Sequence, residues 1–160
     1  MDDPLEIFGV LNRYGVEYLV IGGHAVAYHG YVRTTEDFDI VAKPNRGNKK
    51  KLFDALDSIN ARWITDEIDP GTGIEKTRRV TLGFVETNQL MMLCTDKGFI
   101  DIFFYIPSFP ETPVEKLFET AERFKKMLFV SLDWLIKMKK AAGRHKDLAD
   151  VEELEKMVEK

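Results

Sequence analysis

Two carboxylates separated by a single aromatic, Asp37 and Asp39, stand in "EDFDIVA", residues 36 to 42, a run that otherwise reads as a β-strand. Side chains alternate along a strand, so Asp37 and Asp39 project to one face while Phe38 and Ile40 project to the other. Like charges held that close raise each other's pKa unless something positive lies between them. Asp101 poses the same question inside "GFIDIFFYI", because a carboxylate among Phe, Ile and Tyr is costly unless it is paired or binds a metal. If the two strands lie side by side, Asp37, Asp39 and Asp101 converge on one face of a sheet. Such an all-oxygen cluster suits Mg²⁺ or Mn²⁺ rather than zinc. The plainer alternative has Asp37 pairing locally with Arg33, Asp39 with a lysine, and Asp101 ending its strand in solvent.

A second chemical feature precedes the acids. "VIGGHAV" is a strand that closes on Gly22-Gly23 and runs straight into a helix. Free N–H groups at that point, with the helix dipole, favour a phosphate, and glycine lets backbone approach an anion closely. A tight strand-to-helix turn with no ligand is the competing explanation, and it weakens once a D-x-D lies downstream.

The elements that must position these groups follow from periodicity. "DPLEIFGVLNRYG" suits a short amphipathic helix, Tyr18 to Ile21 a strand, "HAVAYHG" a short helix ended by Gly30, and "NRGNKKKLFDALDSINA" a helix with Leu52, Phe53, Leu56 and Ile59 on one face. Around "DPGTG", residues 64 to 88 show neither period strongly and read as a loop with a hairpin as the alternative. "QLMMLCT" and "GFIDIFFYI" form two strands joined at Asp96, Lys97 and Gly98. A helix over about 113 to 123, a short strand "MLFV" and two helices divided near Gly143 complete the chain.

At about 100° per residue, a helix capped by Ser131 gathers Leu132, Leu135, Ile136, Ala142 and Gly143 on one face with Lys139 at its centre, while Lys137 and Lys140 point elsewhere. In the next helix Leu148, Val151, Leu154 and Val158 define a stripe that includes Asp147. Each helix therefore sets one charge in its own apolar face. A buried Lys139–Asp147 ion pair with a structural role is one explanation.

Gly22-Gly23, a spacer of residues 24 to 36, and Asp37-Phe38-Asp39-Ile40 together resemble the signature of the DNA polymerase β-like nucleotidyltransferase superfamily. "GGHAVAYHGYVRTTEDFDIV" is similar, more narrowly, to prokaryotic minimal nucleotidyltransferases and to the nucleotidyltransferase toxins of type IV toxin–antitoxin systems. The resemblance covers residues 1 to 42 best and 131 to 154 moderately. It implies an α/β (α+β) nucleotidyltransferase fold, a mixed central sheet of about five strands flanked by helices and followed by C-terminal helices, as one domain over residues 1–160. Its implied activity is transfer of an NMP from an NTP to a hydroxyl acceptor by two-metal catalysis. Asp37, Asp39 and Asp101 are then metal ligands and, with Lys139, the catalytic set; Gly22, Gly23, Arg33, Thr35 and Asp147 bind the nucleotide. Arg33, Thr34 and Thr35 match an Arg-x-Thr segment of the family, and Arg144, Lys146 and Asp147 match its Arg-x-Lys-Asp motif. On this view Lys139 serves as a cation for the triphosphate. Gly23 stands where the broader family commonly has serine.

Composition bounds these expectations. The 160 residues, 44% of them hydrophobic, fit one domain able to bury a core without disulfides. Cys94 is the single cysteine, which excludes an intrachain disulfide and a thiolate zinc cluster and suits a reducing, cytoplasmic setting. No apolar run approaches a membrane span, and the acidic start is unlike a secretory signal. A net charge of −4 excludes nucleic-acid binding over the whole surface, although residues 137 to 146 form a local basic run. His24, His29 and His145 read as surface or capping residues. The acceptor, whether RNA end, protein or small molecule, is not legible, and a homodimer or an antitoxin are the partners the resemblance allows. The alternative function is a nucleotidyltransferase-like scaffold that binds a protein or nucleotide without catalysis.

Overall fold

The computed structural model describes residues 4–35 and 37–158, so Glu36, the first acid of the D-x-D run, lies outside the described residues. In chain order the elements are α1 (Pro4–Arg13), β1 (Tyr18–Ile21), α2 (Gly22–Tyr28), β2 (Phe38–Ala42), α3 (Arg46–Ser58), β3 (Arg62–Ile68), β4 (Glu75–Arg79), α4 (Leu82–Thr87), β5 (Leu90–Thr95), β6 (Gly98–Phe103), α5 (Glu115–Glu119), β7 (Glu122–Phe124), β8 (Met127–Phe129), α6 (Leu132–Ala142) and α7 (His145–Val158). The strands form one mixed sheet in the order β4-β3-β5-β6-β2-β1-β8-β7.

Local chemistry sets the helix ends. The Asn45 side chain accepts from the backbone N–H of Asn48 at 2.8 Å and starts α3, and Ser131 accepts from that of Trp134 at 3.3 Å and starts α6 as expected. Gly143, with φ +67, ends α6 in the left-handed conformation that glycine adopts freely. All four residues of β1 are buried, as a central strand requires. One face of β2 and β6, carrying Phe38, Ile40, Ile100 and Ile102, belongs to a single core with Leu11 of α1 and Leu52 and Leu56 of α3. That burial drives the assembly, and it leaves the residues between them, Asp39 and Asp101, on the other face.

The sheet has eight strands rather than about five. β3 and β4 pair as a hairpin, the alternative considered for the stretch around "DPGTG". β4 lies at the sheet edge with all but its central residue exposed, so no apolar alternation marks it. The helix expected over 113 to 123 is confined to Glu115–Glu119, because Glu122–Phe124 pairs with Met127–Phe129 about a turn in which Lys125 takes φ 57. The helical wheels also need correction. Ala142 and Gly143 are exposed and Met138 takes their place in the buried face of α6. In α7, Leu148 and Val158 are exposed while Asp147, Asp150, Val151 and Leu154 are buried. The inner face of α7 thus combines the charges of Asp147 and Asp150 with Val151 and Leu154.

Candidate active site

Strands β2 and β6 run parallel and in register, with Asp39 directly beside Asp101. The expected meeting of those two acids is therefore present. Burial is the largest influence on Asp39 and, with the charges of Asp101 and Asp37, pushes its carboxyl up to about 7. Burial, then the charge of Asp37, also raises Asp101 above the ordinary carboxylate range. Both carboxylates project from the same face of adjacent strands. Asp39 Oδ1 is buried without a hydrogen-bond partner, an orphaned acceptor of the kind that a cation or ordered water satisfies.

Asp37 is less firmly placed. It precedes β2 and is exposed, so the ladder that aims Asp39 and Asp101 does not fix it; its charge nevertheless reaches both. Among the described residues no group of three or more His, Cys, Asp or Glu side chains stands so as to hold a metal ion. The three-acid cluster expected from sequence is thus a registered pair with a third acid nearby.

The glycine pair packs against these acids. Gly22 has φ +69, and a Cβ there would come within 3.0 Å of Asp39 Cβ and Cγ. A Cβ on Gly23 would lie 2.7 Å from Thr35 Cβ. Thr35 in turn donates its hydroxyl to the Asp37 carbonyl at 3.3 Å. Only a chain without side chains at both positions closes this turn onto the acids.

Lys139 is buried, and its ammonium contacts Asp147 at 3.3 Å and Asp150 at 3.0 Å. Arg33 grips Asp150 with two bonds of 2.8 Å, so it does not make the local pair with Asp37 that one alternative required. Arg144 bonds Asp147 through Nε at 2.6 Å and through its backbone N–H at 3.3 Å. The result is a ladder, Arg33–Asp150–Lys139–Asp147–Arg144, joining the segment before β2 to both C-terminal helices. Burial opposes ionisation of Asp147 and Asp150, but hydrogen bonds from Arg144 and Lys139 to the first, and from Arg33 and Lys139 to the second, outweigh it and hold both carboxyls below their usual range. Asp150 is the member that sequence reasoning missed. Its signal was its place three residues after Asp147, on the same helix face.

A cleft of about 300 Å³ is lined by Asp37 and Asp39 together with the cations Arg33, Lys139, Arg144 and Lys146, and its floor includes Gly22, Gly23 and Thr35. Each expected site residue except Asp101 and Asp147 lines it. Asp101 lies beyond Asp39 on β6, and Asp147 lines an adjoining, smaller cavity of about 120 Å³ with Phe103, Leu135 and Met138. Of the histidines, His29 caps α2 and contacts the Val130 carbonyl at 2.7 Å, His145 is exposed, and His24 packs edge-on against Phe38, with its pKa lowered by burial.

No protein-family model and no curated protein matches the chain. Among solved structures it is similar to the lincosamide antibiotic adenylyltransferase LnuA in its lincomycin-bound form, at 16% identity and TM-score 0.63, over 96% of this chain and 94% of that one. It is also similar to an antigenic nucleotidyltransferase-like protein from Paracoccidioides brasiliensis, at 18% identity and TM-score 0.50, over 92% of this chain and 70% of that one. The chain has the nucleotidyltransferase fold. No helix among the described residues is long and apolar enough to cross a membrane.

Proposed function

We propose that the protein transfers a nucleotidyl group from a nucleoside triphosphate to a hydroxyl acceptor. The observation that carries this is the Asp39 carboxyl: paired in register with Asp101, overlaid by the left-handed Gly22 turn, and left with one buried oxygen unpartnered. Asp39 and Asp101, with Asp37, are the residues that would hold Mg²⁺ or Mn²⁺, and divalent ions bound there supply charge stabilisation to the entering and leaving oxygens. The orphaned Asp39 oxygen and the mutual repulsion of the acids fit that demand.

Gly22-Gly23 admits the triphosphate close to the backbone. The ladder contributes three cations, Arg33, Lys139 and Arg144, against two carboxylates, Asp147 and Asp150, so it presents one net positive charge to the phosphates, to which Lys146 adds a second. Lys139 and Arg33 act as a rigid, pre-oriented electrostatic wall rather than as free side chains. Asp101 faces the acceptor: the acceptor oxygen bonds to the α-phosphorus, the bond to the β-phosphate oxygen breaks, pyrophosphate leaves with its electron pair, and the hydroxyl proton passes to Asp101. A toxin role and an antitoxin partner rest on the resemblance of residues 22 to 42 and 131 to 154.

Mg²⁺ with a bound NTP should raise the melting temperature of the wild-type protein, by roughly 5–10 °C at a hundredfold excess over Kd, and Asp39→Ala should abolish the rise. ATP is the first donor to test, given the adenylyltransferase with the same fold. Absence of any shift with all four NTPs would leave a scaffold, not an enzyme. Incubation with α-³²P-labelled NTPs and fractionated RNA, protein and metabolites then identifies the labelled acceptor class.

A further inference from the structure

The face of the sheet that bears Asp39 and Asp101 continues outward across β6, β5 and β3. Met92 is directly opposite Asp101, and Phe99 is directly opposite Cys94, which is paired in turn with Arg62. Strand alternation puts Ile64, two residues after Arg62, on the same face. Here Phe99 is 55% exposed, Met92 60% and Ile64 46%. Three large apolar side chains on adjacent strands thus form an uncovered shelf that begins where the Asp101 carboxylate ends. Isolated exposed hydrophobes need no explanation, but a contiguous patch beside a candidate site does.

We propose that this shelf seats the acceptor, and that the acceptor is a small uncharged or cationic molecule with an apolar body and a hydroxyl, rather than a nucleic acid. The inference rests on the nucleotidyl-transfer reading and names its second substrate. Charge is the first ground. Arg33, Lys139, Arg144 and Lys146 all line the cleft on the glycine side of Asp39, whereas the shelf begins on the other side, at Asp101 beside Met92. At its outer edge Arg79 is tied to Asp57 at 2.9 Å and Arg62 donates to Thr77 at 2.8 Å. A polynucleotide brings a negative charge with every residue and needs several cations to offset it; beyond the acids the shelf offers Arg62 alone and otherwise apolar surface.

Size is the second ground. Three strands span roughly 10 Å and a two-residue step along a strand roughly 7 Å, the footprint of one or two rings. A protein partner would need on the order of 800 Å². An apolar body lying on Phe99, Met92 and Ile64 brings a hydroxyl at its inner end to Asp101.

The test uses the full chain labelled with ¹³C at the methionine methyls, the Met92 signal being assigned by Met92→Leu. Cyclohexylmethanol and tyramine are titrated as probes beside a single-stranded RNA dodecamer with a free 3′-hydroxyl. The two small probes should shift the Met92 methyl saturably and the RNA should not. Phe99→Ser should weaken the probes roughly three- to tenfold; Ile64→Ser, at another exposed position, gives an independent variant. With Mg²⁺ and α-³²P-labelled NTP, label should appear on a small probe and not on RNA. Silence at Met92 in protein that binds NTP overturns the shelf alone, as does a Met92 response to RNA or an unchanged probe affinity in both variants. A Met92 response to the small probes without NTP binding supports the shelf as a binding surface while overturning the transfer reading.

Discussion

Replacing Asp39 by asparagine should make the metal-free protein more stable, and by an amount that depends on pH. The carboxyl rises from an ordinary 3.8 to about 7 on folding, chiefly through burial and then through Asp101 and Asp37. The native state therefore holds a proton between pH 4 and 7 that the unfolded chain has released, and stability falls as pH rises through that window. Below about pH 4 both states are protonated and Asp39 costs nothing. Above about pH 7 both are ionised and the full cost is felt, about 4 kcal/mol as a ceiling at about 1.4 kcal/mol per pH unit for the rise just given. Asparagine retains the shape without the charge, so Asp39→Asn should match wild type near pH 4.5 and exceed it by roughly 2–4 kcal/mol at pH 8, or about 4–16 °C in Tm. Urea or thermal denaturation of both proteins in chelator across that range measures the difference, which cancels groups common to both. A variant equal to or weaker than wild type at pH 8, or a difference flat with pH, would refute the view that native contacts force this acid against its own ionisation. Adding Mg²⁺ should narrow the gap, since only wild type has the charge to gain from it.

Other perturbations have definite outcomes. Gly22→Ala adds a Cβ within 3.0 Å of the Asp39 side chain at a left-handed position; it should lower stability by about 1–2 kcal/mol from backbone conformation alone and suppress the Mg²⁺–NTP thermal shift, measured side by side with wild type. Asp150→Ala deprives Arg33 of its carboxylate and leaves the buried Lys139 with Asp147 alone, and should cost about 3–5 kcal/mol in denaturant melts, with partial recovery in Asp150→Glu. Because Asp147 and Asp150 are held below the usual carboxylate range, the ladder's contribution is present above about pH 4 and lost as pH falls through their native pKa values; a steep acid transition that Asp150→Asn makes shallower is the expected titration.

What the sequence revealed follows from which interactions are local. The order β1, α2, β2, the glycine turn and the pairing of Asp39 with Asp101 were legible because buried strands alternate and because a lone acid in an apolar strand needs company. The β4 and β7 edge strands were not, since β4 has four exposed residues of five and β7 three of three, which carry no apolar period. Lys139 and Asp147 were found as charges within helix stripes. Asp150 was missed because counting leucines gave Leu148 and Val158 to the inner face, whereas the buried carboxylates are compensated by cations from two other elements and turn the helix their own way. Arg33 could not be assigned from its neighbours in sequence: Asp37 is four residues away, and the carboxylate it grips is 117 residues away.

That last separation bears on how the molecule is made. Synthesis delivers the N-terminal part first, so the glycine turn and the acids at 37, 39 and 101 emerge before the counterion that pins Arg33. Until α7 leaves the ribosome, Lys139 and Arg33 have no carboxylate between them and the cation wall of the cleft has no fixed shape. Assembly of the cleft is thereby tied to the emergence of α7, and a chain cut short after Gly143 would carry Asp37, Asp39 and Asp101 yet possess an unassembled pocket.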